Sequence, residues 1–343
     1  MIPFSKPEID LSNKDLKEIG LIIKNGKLCK GEYIRALENY FKDTYNVKYA
    51  KACCNATNGL IIAFKATNLY NTFVAMPSFT WPSTLYAVEC SNNIPVWMDI
   101  NTDTWNMSGS ATKFGNEIKR SDYYKKYIRL ISTGEENEVY SVSGSILVDI
   151  FGNMSYINVP TTAVTIYDAA HSFGNKLLGN RGTVEVVSLS FTKPITSMQG
   201  GMILTNNDTI FNKISELVDL SAKMCEVNAF IALKEIEKYP IKRDRRLEVI
   251  NRYRQYIRVP IVEQKIEYST NYSTYSVLFE SRDKRDKIVN KFKENGIESK
   301  VYYEPLIHGL KNTDEVYSRI LSLPTYPSVN KHVKTICDLI NKA

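Results

Sequence analysis

Lys193 stands in SLSFTKPITSMQGG, between a hydroxyl-rich stretch and a glycine pair. A phosphate loop of the GxxxxGK[ST] kind puts its lysine after the glycines, and here the order is reversed. Lys193 is therefore either a solvated loop lysine or a lysine whose amine does chemistry. Other residues of chemical interest follow runs that read as buried strands. Asp168 closes AVTIYD and precedes AAHSFG, Trp81 follows FVAM in PSFTWPST, and Ala56 and Thr57 sit in CCNATNGL before a helical segment. Singly, each has a plainer reading: Asp168 as a helix N-cap, Trp81 as core, NAT as a cap.

Together these residues suit one kind of ligand, an aromatic ring carrying an aldehyde and a phosphate. A helix N-terminus with Ala56 and Thr57 offers free amides to the phosphate. Trp81 offers a flat face to stack on. Asp168 would hold a protonated pyridine nitrogen, and the Lys193 amine would condense with the aldehyde. That ligand is pyridoxal 5′-phosphate, whose electron-sink chemistry needs such a lysine and such a carboxylate.

The elements that must position these residues are legible as alternating patterns. FVAM at 73, IPVWMD at 94, YIRLIS at 127, SILVDIF at 145, AVTIYD at 163, EVVSLSF at 185 and GMIL at 201 are short β-branched or aromatic runs. Several are nearly continuous in apolar character, as strands buried on both faces are. Helical segments such as TNGLIIAFKAT and PSTLYAVECS lie between them. The alternation predicts an α/β domain with a mainly parallel sheet. Beyond residue 203 the chain turns largely helical up to 258. TYSVLFE and ESKVYYEP then suggest a few strands before a last helix at HVKTICDLINK. The expected organisation is a large domain over 1–238 and a smaller C-terminal α+β domain over 239–343. The region 107–144 carries no readable motif.

Composition bounds the function. The chain has 343 residues, 43% of them hydrophobic, enough for one large core and a satellite domain. No apolar run is long enough for a membrane helix, and the N-terminus lacks the pattern of a signal peptide. The six cysteines are scattered and never spaced CxxC, and the three histidines are far apart. The expectation is a cytoplasmic protein with reduced thiols and no metal site. A net charge of +7 fits an anionic small molecule and does not argue for nucleic acid. The densest basic stretch, Lys242 to Arg258, reads as an amphipathic helix with either a solvated basic face or an anion or partner site.

The chain resembles fold-type-I pyridoxal-phosphate enzymes of the DegT/StrS sugar-aminotransferase family along nearly its whole length. The matching stretches are, in order, IPFSKPEI, GKLCKGEYIRALENYF, CCNATNGL, MPSFTWPST, PVWMDINTDTWNM, VDIFGN, IYDAAHSFG, SLSFTKPITSMQGG, AKMCEVNAFIAL and LSLPTYP. The resemblance implies that Lys193 forms the Schiff base and shuttles the proton, and that Asp168 pairs with the pyridine nitrogen. It also implies that His171 lies beside the ring, that Trp81 stacks on it, and that Ala56, Thr57 and Ser188 bind the phosphate. The family's partner-subunit phosphate contacts, often Asn-x-Arg, become Ser221 and Lys223, a change that loses a bidentate fork. His308 and Tyr326 match family positions in the small lobe, at the sugar side of the site. The chain departs from the family in SMQGG, where Gln199 replaces an acid, and at Asp149, where histidine is usual.

The implied activity moves the amino group of L-glutamate to a keto group of a nucleotide-linked hexose, in a homodimer with shared active sites. Some dehydratase relatives carry histidine where Lys193 stands, so transamination is expected. The combination of NAT, IYDAAHSFG and SLSFTK is closer to enzymes that aminate C4 of a dTDP-4-keto-6-deoxyhexose. C3 amination and a non-catalytic relative that binds the cofactor or a nucleotide sugar are the alternatives. The implied setting is surface-glycan, such as O-antigen, or antibiotic sugar synthesis.

Overall fold

The computed structural model describes residues 1–108, 142–156 and 164–343. The first half contains α1 (Asn13–Lys24), α2 (Glu32–Tyr45), β1 (Tyr49–Cys53), α3 (Ala56–Ala66), β2 (Phe73–Pro77), α4 (Pro82–Cys90) and β3 (Ile94–Met98). It continues with β4 (Val142–Val148), β5 (Val164–Asp168), β6 (Val184–Ser188) and β7 (Gly201–Thr205). These strands make one seven-stranded sheet in the order β1-β7-β6-β5-β4-β2-β3. Neighbours from β3 to β6 are parallel, while β7 runs antiparallel to both β6 and β1. The expected α/β architecture with a mostly parallel sheet is what the chain adopts.

Strands β2, β3, β6 and β7 are buried at every position, which explains their unbroken apolar character. One face is covered by α3 and by α5 (Asp208–Ser221), through Leu60, Phe64, Ile214 and Val218. The other is covered by α2 and by the long α6 (Glu226–Tyr256), through Leu37, Phe41, Ala229 and Ile236. The α2 N-terminus begins at Gly31, which has no side chain to cap it. The buried carboxylate of Glu226 does so from α6, accepting from the amides of Gly31 at 2.7 Å and Tyr33 at 2.9 Å.

Helix α6 runs unbroken through residue 238, the expected domain boundary, even though Pro240 lies inside it. Tyr239 packs on Phe173 in the sheet-side core, while Val249, Ile250 and Tyr253 join a separate C-terminal core. That second core is built with β8 (Val262–Glu263), β9 (Tyr275–Leu278), α7 (Arg282–Glu294), α8 (Lys311–Arg319), β10 (Ile320–Leu323) and α9 (Val333–Asn341). Its three-stranded sheet has the order β10-β9-β8.

The structure corrects the sequence reading in places. ESKVYYEP is not a strand; only Lys300 bridges, to Ser322. Strands β1, β8 and β10 lie outside the runs read as strands from the sequence. The strand expected at 127 lies outside the described residues. Among the described residues, no helix is long and apolar enough to cross a membrane.

The glycine pair of SMQGG has a packing reason. A Cβ on Gly201 would lie 2.9 Å from the Ala56 nitrogen, so only glycine lets β7 pass beneath the first turn of α3. Gly201→Ala should therefore shift that turn, costing about 1–3 kcal/mol of stability. The checks are the denaturation midpoint and the affinity for inorganic phosphate or pyridoxal 5′-phosphate, both expected to fall. A variant as stable and as tight as the parent would show that the turn tolerates the shift.

Candidate active site

The carboxyl ends of β2, β4, β5 and β6 open into a cavity of about 480 Å³, closed on its far side by residues of the C-terminal lobe. Lys193, Asp168, His171, Ser188, Ala56, Thr57, Trp81 and Tyr326 all line it. The sheet topology explains why. Asp168 is the last residue of β5, and Ser188 is the last of β6, so both stand at the crevice edge. Lys193 follows in the turn from β6 to β7, where its amide donates to Ser190.

At the phosphate-sized end, Asn55 caps α3 and its side chain accepts from the Asn58 amide at 2.8 Å. The Ala56 and Thr57 amides belong to the first turn, which has no partners within the helix. They and Ser188 share one wall of the cavity. Trp81 is 52% exposed and closes the mouth, edge-on to Tyr302 and Tyr303. It is a wall of the cavity and not part of the core.

The reactive centre is a chain of hydrogen bonds joining the two lobes. Lys193 Nζ lies 2.8 Å from His171 Nε2, and the His171 Nδ1 lies 2.6 Å from Ser273 Oγ. Tyr303 also places its hydroxyl 3.1 Å from Nε2. With two donors on Nε2, the ring proton belongs on Nδ1, donated to Ser273. Burial, with the neighbouring Lys193 and Arg246 charges, holds His171 well below its usual range and therefore neutral. Asp168 is buried, its Oδ2 accepting from Thr84 Oγ1 at 2.8 Å and its Oδ1 from the Ala170 amide at 3.2 Å. Burial raises its pKa, against the stabilising Thr84 hydroxyl and the Lys193 charge.

Burial also pushes the Lys193 amine down to about 8, with Asp168 opposing the shift. The neutral, nucleophilic form thus dominates above about 8, where an exposed lysine would need a pH above roughly 10.4. In the cofactor-free chain, the rate at which Lys193 captures an aldehyde should rise with pH and level off just above 8. Stopped-flow absorption with pyridoxal 5′-phosphate checks this, and an inflection above pH 10 would contradict it.

Thr84, Ser273, Tyr303 and Arg246 were not foreseen as site residues. Thr84 had a faint signal, lying one helical turn after Trp81; Ser273 and Tyr303 reach the site only through tertiary contact. Other expected residues are not brought into this cavity. Ser221 ends α5, exposed, with its hydroxyl donated to Leu217 O, and Lys223 is exposed nearby. His308 lies outside the lining, 64% exposed, with Nδ1 2.9 Å from Asp314. Gln199 does line the cavity. Asp149 is fully buried and salt-bridged to Arg181 at 2.8 Å, and its carboxylate bonds Ser172, the residue after His171. Asp149 therefore braces the His171 turn from behind.

The chain is similar to known proteins over nearly its whole length. The profile of the DegT/DnrJ/EryC1/StrS aminotransferase family matches residues 10–122 and 144–341. The GDP-perosamine synthase of Escherichia coli O157:H7 is 23% identical over 346 residues, covering 91% of this chain and 90% of that one. Among solved structures, DesI, determined in the presence of its TDP-sugar product, superposes with a TM-score of 0.81 at 22% identity. That match covers 98% of this chain and 91% of DesI. NtdA of Bacillus subtilis, with bound cofactor PMP, gives a TM-score of 0.79 at 19% identity, covering 100% and 85%.

Proposed function

The chain belongs to the DegT/DnrJ/EryC1/StrS aminotransferase family, and on that premise we propose that it transfers the amino group of L-glutamate to C4 of a dTDP-linked 4-keto-6-deoxyhexose. The observation that carries the reading is the buried Lys193 amine, hydrogen-bonded to a neutral His171 in a cavity that Asp168 also lines. The sugar part of the reading is supported by relatives that act on or bind nucleotide sugars.

The residues fit pyridoxal 5′-phosphate. A buried carboxylate with no cationic partner in hydrogen-bond contact among the described residues suits a protonated ring nitrogen, and the Ala56 and Thr57 amides of the first turn of α3 with Ser188 suit a phosphate. When bound, the cofactor supplies an aldehyde that condenses with amines and a ring that accepts an electron pair. This chain's residues do the rest. Asp168 keeps the ring nitrogen protonated, and Thr84 fixes the rotamer of that carboxylate. Lys193 removes the proton at the donor α-carbon as a neutral amine and returns a proton on the sugar side. His171 orients the Lys193 amine, itself held by Ser273 and Tyr303 from the other lobe. Trp81 covers the ring and limits water at the mouth.

We assign Ser221 and Lys223, both exposed in this chain, to the phosphate of a second copy in a homodimer. Tyr326 belongs to the sugar side of the cavity. His308 would reach a substrate only beyond the cavity of its own chain.

The test is ¹⁵N transfer from labelled L-glutamate to a panel of dTDP- and GDP-linked 4-keto and 3-keto hexoses, read by NMR of the product. Label at C4 of the dTDP sugar is expected. Label at C3 would move the reading to the other carbon, and no label in any sugar would remove it.

A further inference from the structure

Arg246 lines the same cavity from the middle of α6 and makes no hydrogen bond or ion pair among the described residues; its Nε is covered and without a partner. A guanidinium in that condition is costly, because desolvation is not offset by a partner. Burial pushes it below the ordinary arginine range, with only the more distant Tyr239 and Glu8 in opposition. The other cation on this stretch is already satisfied. Lys242, one turn earlier, binds both carboxylate oxygens of Glu235, at 2.8 and 2.6 Å. Among the described residues, Arg246 is thus the cation of this cavity with a covered donor left unpartnered, whereas Lys6 on the same wall is exposed to solvent.

We infer that Arg246 binds a carboxylate of the amino donor, an inference that rests on the aminotransferase reading above. A planar guanidinium matches a carboxylate with a two-pronged hydrogen bond. Arg246, His171 and Lys193 line one cavity, and His171 touches Lys193, so an anion held by Arg246 shares that cavity with the reacting amine. Glu235 on the same wall is already paired with Lys242, so the guanidinium of Arg246 leaves a single charge to be matched, which one carboxylate does. Lys242 and Arg246 are the two residues of the basic Lys242–Arg258 stretch that line the cavity.

The experiment is calorimetric titration of glutarate, a dicarboxylate with no amine to react, into the cofactor-loaded full-length chain. Wild type is expected to bind it, Arg246→Gln to bind it about 10–100-fold more weakly, and Arg246→Lys to recover part of the loss. Affinity for dTDP should be unchanged in both variants. Because Arg246 has no partner to leave unpaired and its desolvation is unfavourable, melting temperatures of the variants should be no lower than wild type, and the half-reaction with L-glutamate should weaken in parallel with glutarate binding. Failure of wild type to bind glutarate, or equal affinity in Arg246→Gln, overturns the inference while leaving the aminotransferase reading intact if L-glutamate is still converted. Loss of dTDP binding in place of glutarate binding would assign Arg246 to phosphate and overturn it too. If wild type converts no amino donor, the functional reading fails and the inference falls with it.

Discussion

Lys193→Ala is expected to lower transamination by at least about 10³-fold, because one amine serves as both the point of covalent attachment and the proton carrier. Nothing in the cavity replaces it. His171 is close, but its depressed pKa makes it a weak base. The Tyr303 hydroxyl is raised far above its ordinary range by burial and stays protonated. The loss should be chemical and not structural, since His171 Nε2 keeps its bond to Tyr303 when Lys193 is removed. A melting temperature near that of wild type, non-covalent cofactor binding and partial rescue by methylamine are the expected accompaniments. Borohydride reduction followed by peptide mass spectrometry should label Lys193 in the wild type and no other lysine. Turnover within tenfold of wild type in the variant would remove Lys193 from the mechanism.

Asp168→Asn is the second large effect, expected at about 10²–10³-fold in turnover with cofactor affinity much less affected. Asparagine keeps the shape and can still accept from Thr84, so the substitution deletes the negative charge and little else. Without that charge the ring nitrogen loses its proton, and the electron pair released at the α-carbon has nowhere favourable to go. A variant with wild-type rate would assign the ring nitrogen another partner.

Much of this arrangement was legible because burial on both faces leaves a plain mark. FVAMP, IPVWM and GMILT are apolar at nearly every position, and each became a strand buried along its whole length. Asp168, Ser188 and Lys193 follow from that, because topology alone carries the ends of parallel strands to one crevice. Strand β1 was invisible for the opposite reason. YAKAC is an edge strand whose Tyr49 and Lys51 stay partly exposed, so its pattern is short and mixed. ESKVYYEP carried strand-like residues, yet Tyr302 and Tyr303 are spent on ring packing against Trp81 and Phe79 and not on a ladder. The helix that passes residue 238 is shared by two cores, because Tyr239 and Tyr253 bury into different ones along it. Ser273 and Tyr303 meet His171 across sequence separations of 102 and 132 residues, and no local pattern encodes such a meeting.

The central claim is that this chain takes nitrogen from an amino acid through Lys193. The most direct test is the visible absorption spectrum of the cofactor-loaded wild type before and after L-glutamate. The account predicts a visible band from lysine-bound cofactor that disappears on addition, with one equivalent of 2-oxoglutarate released per site. A chain that shows no such band, or one whose band is indifferent to every amino donor, would contradict it.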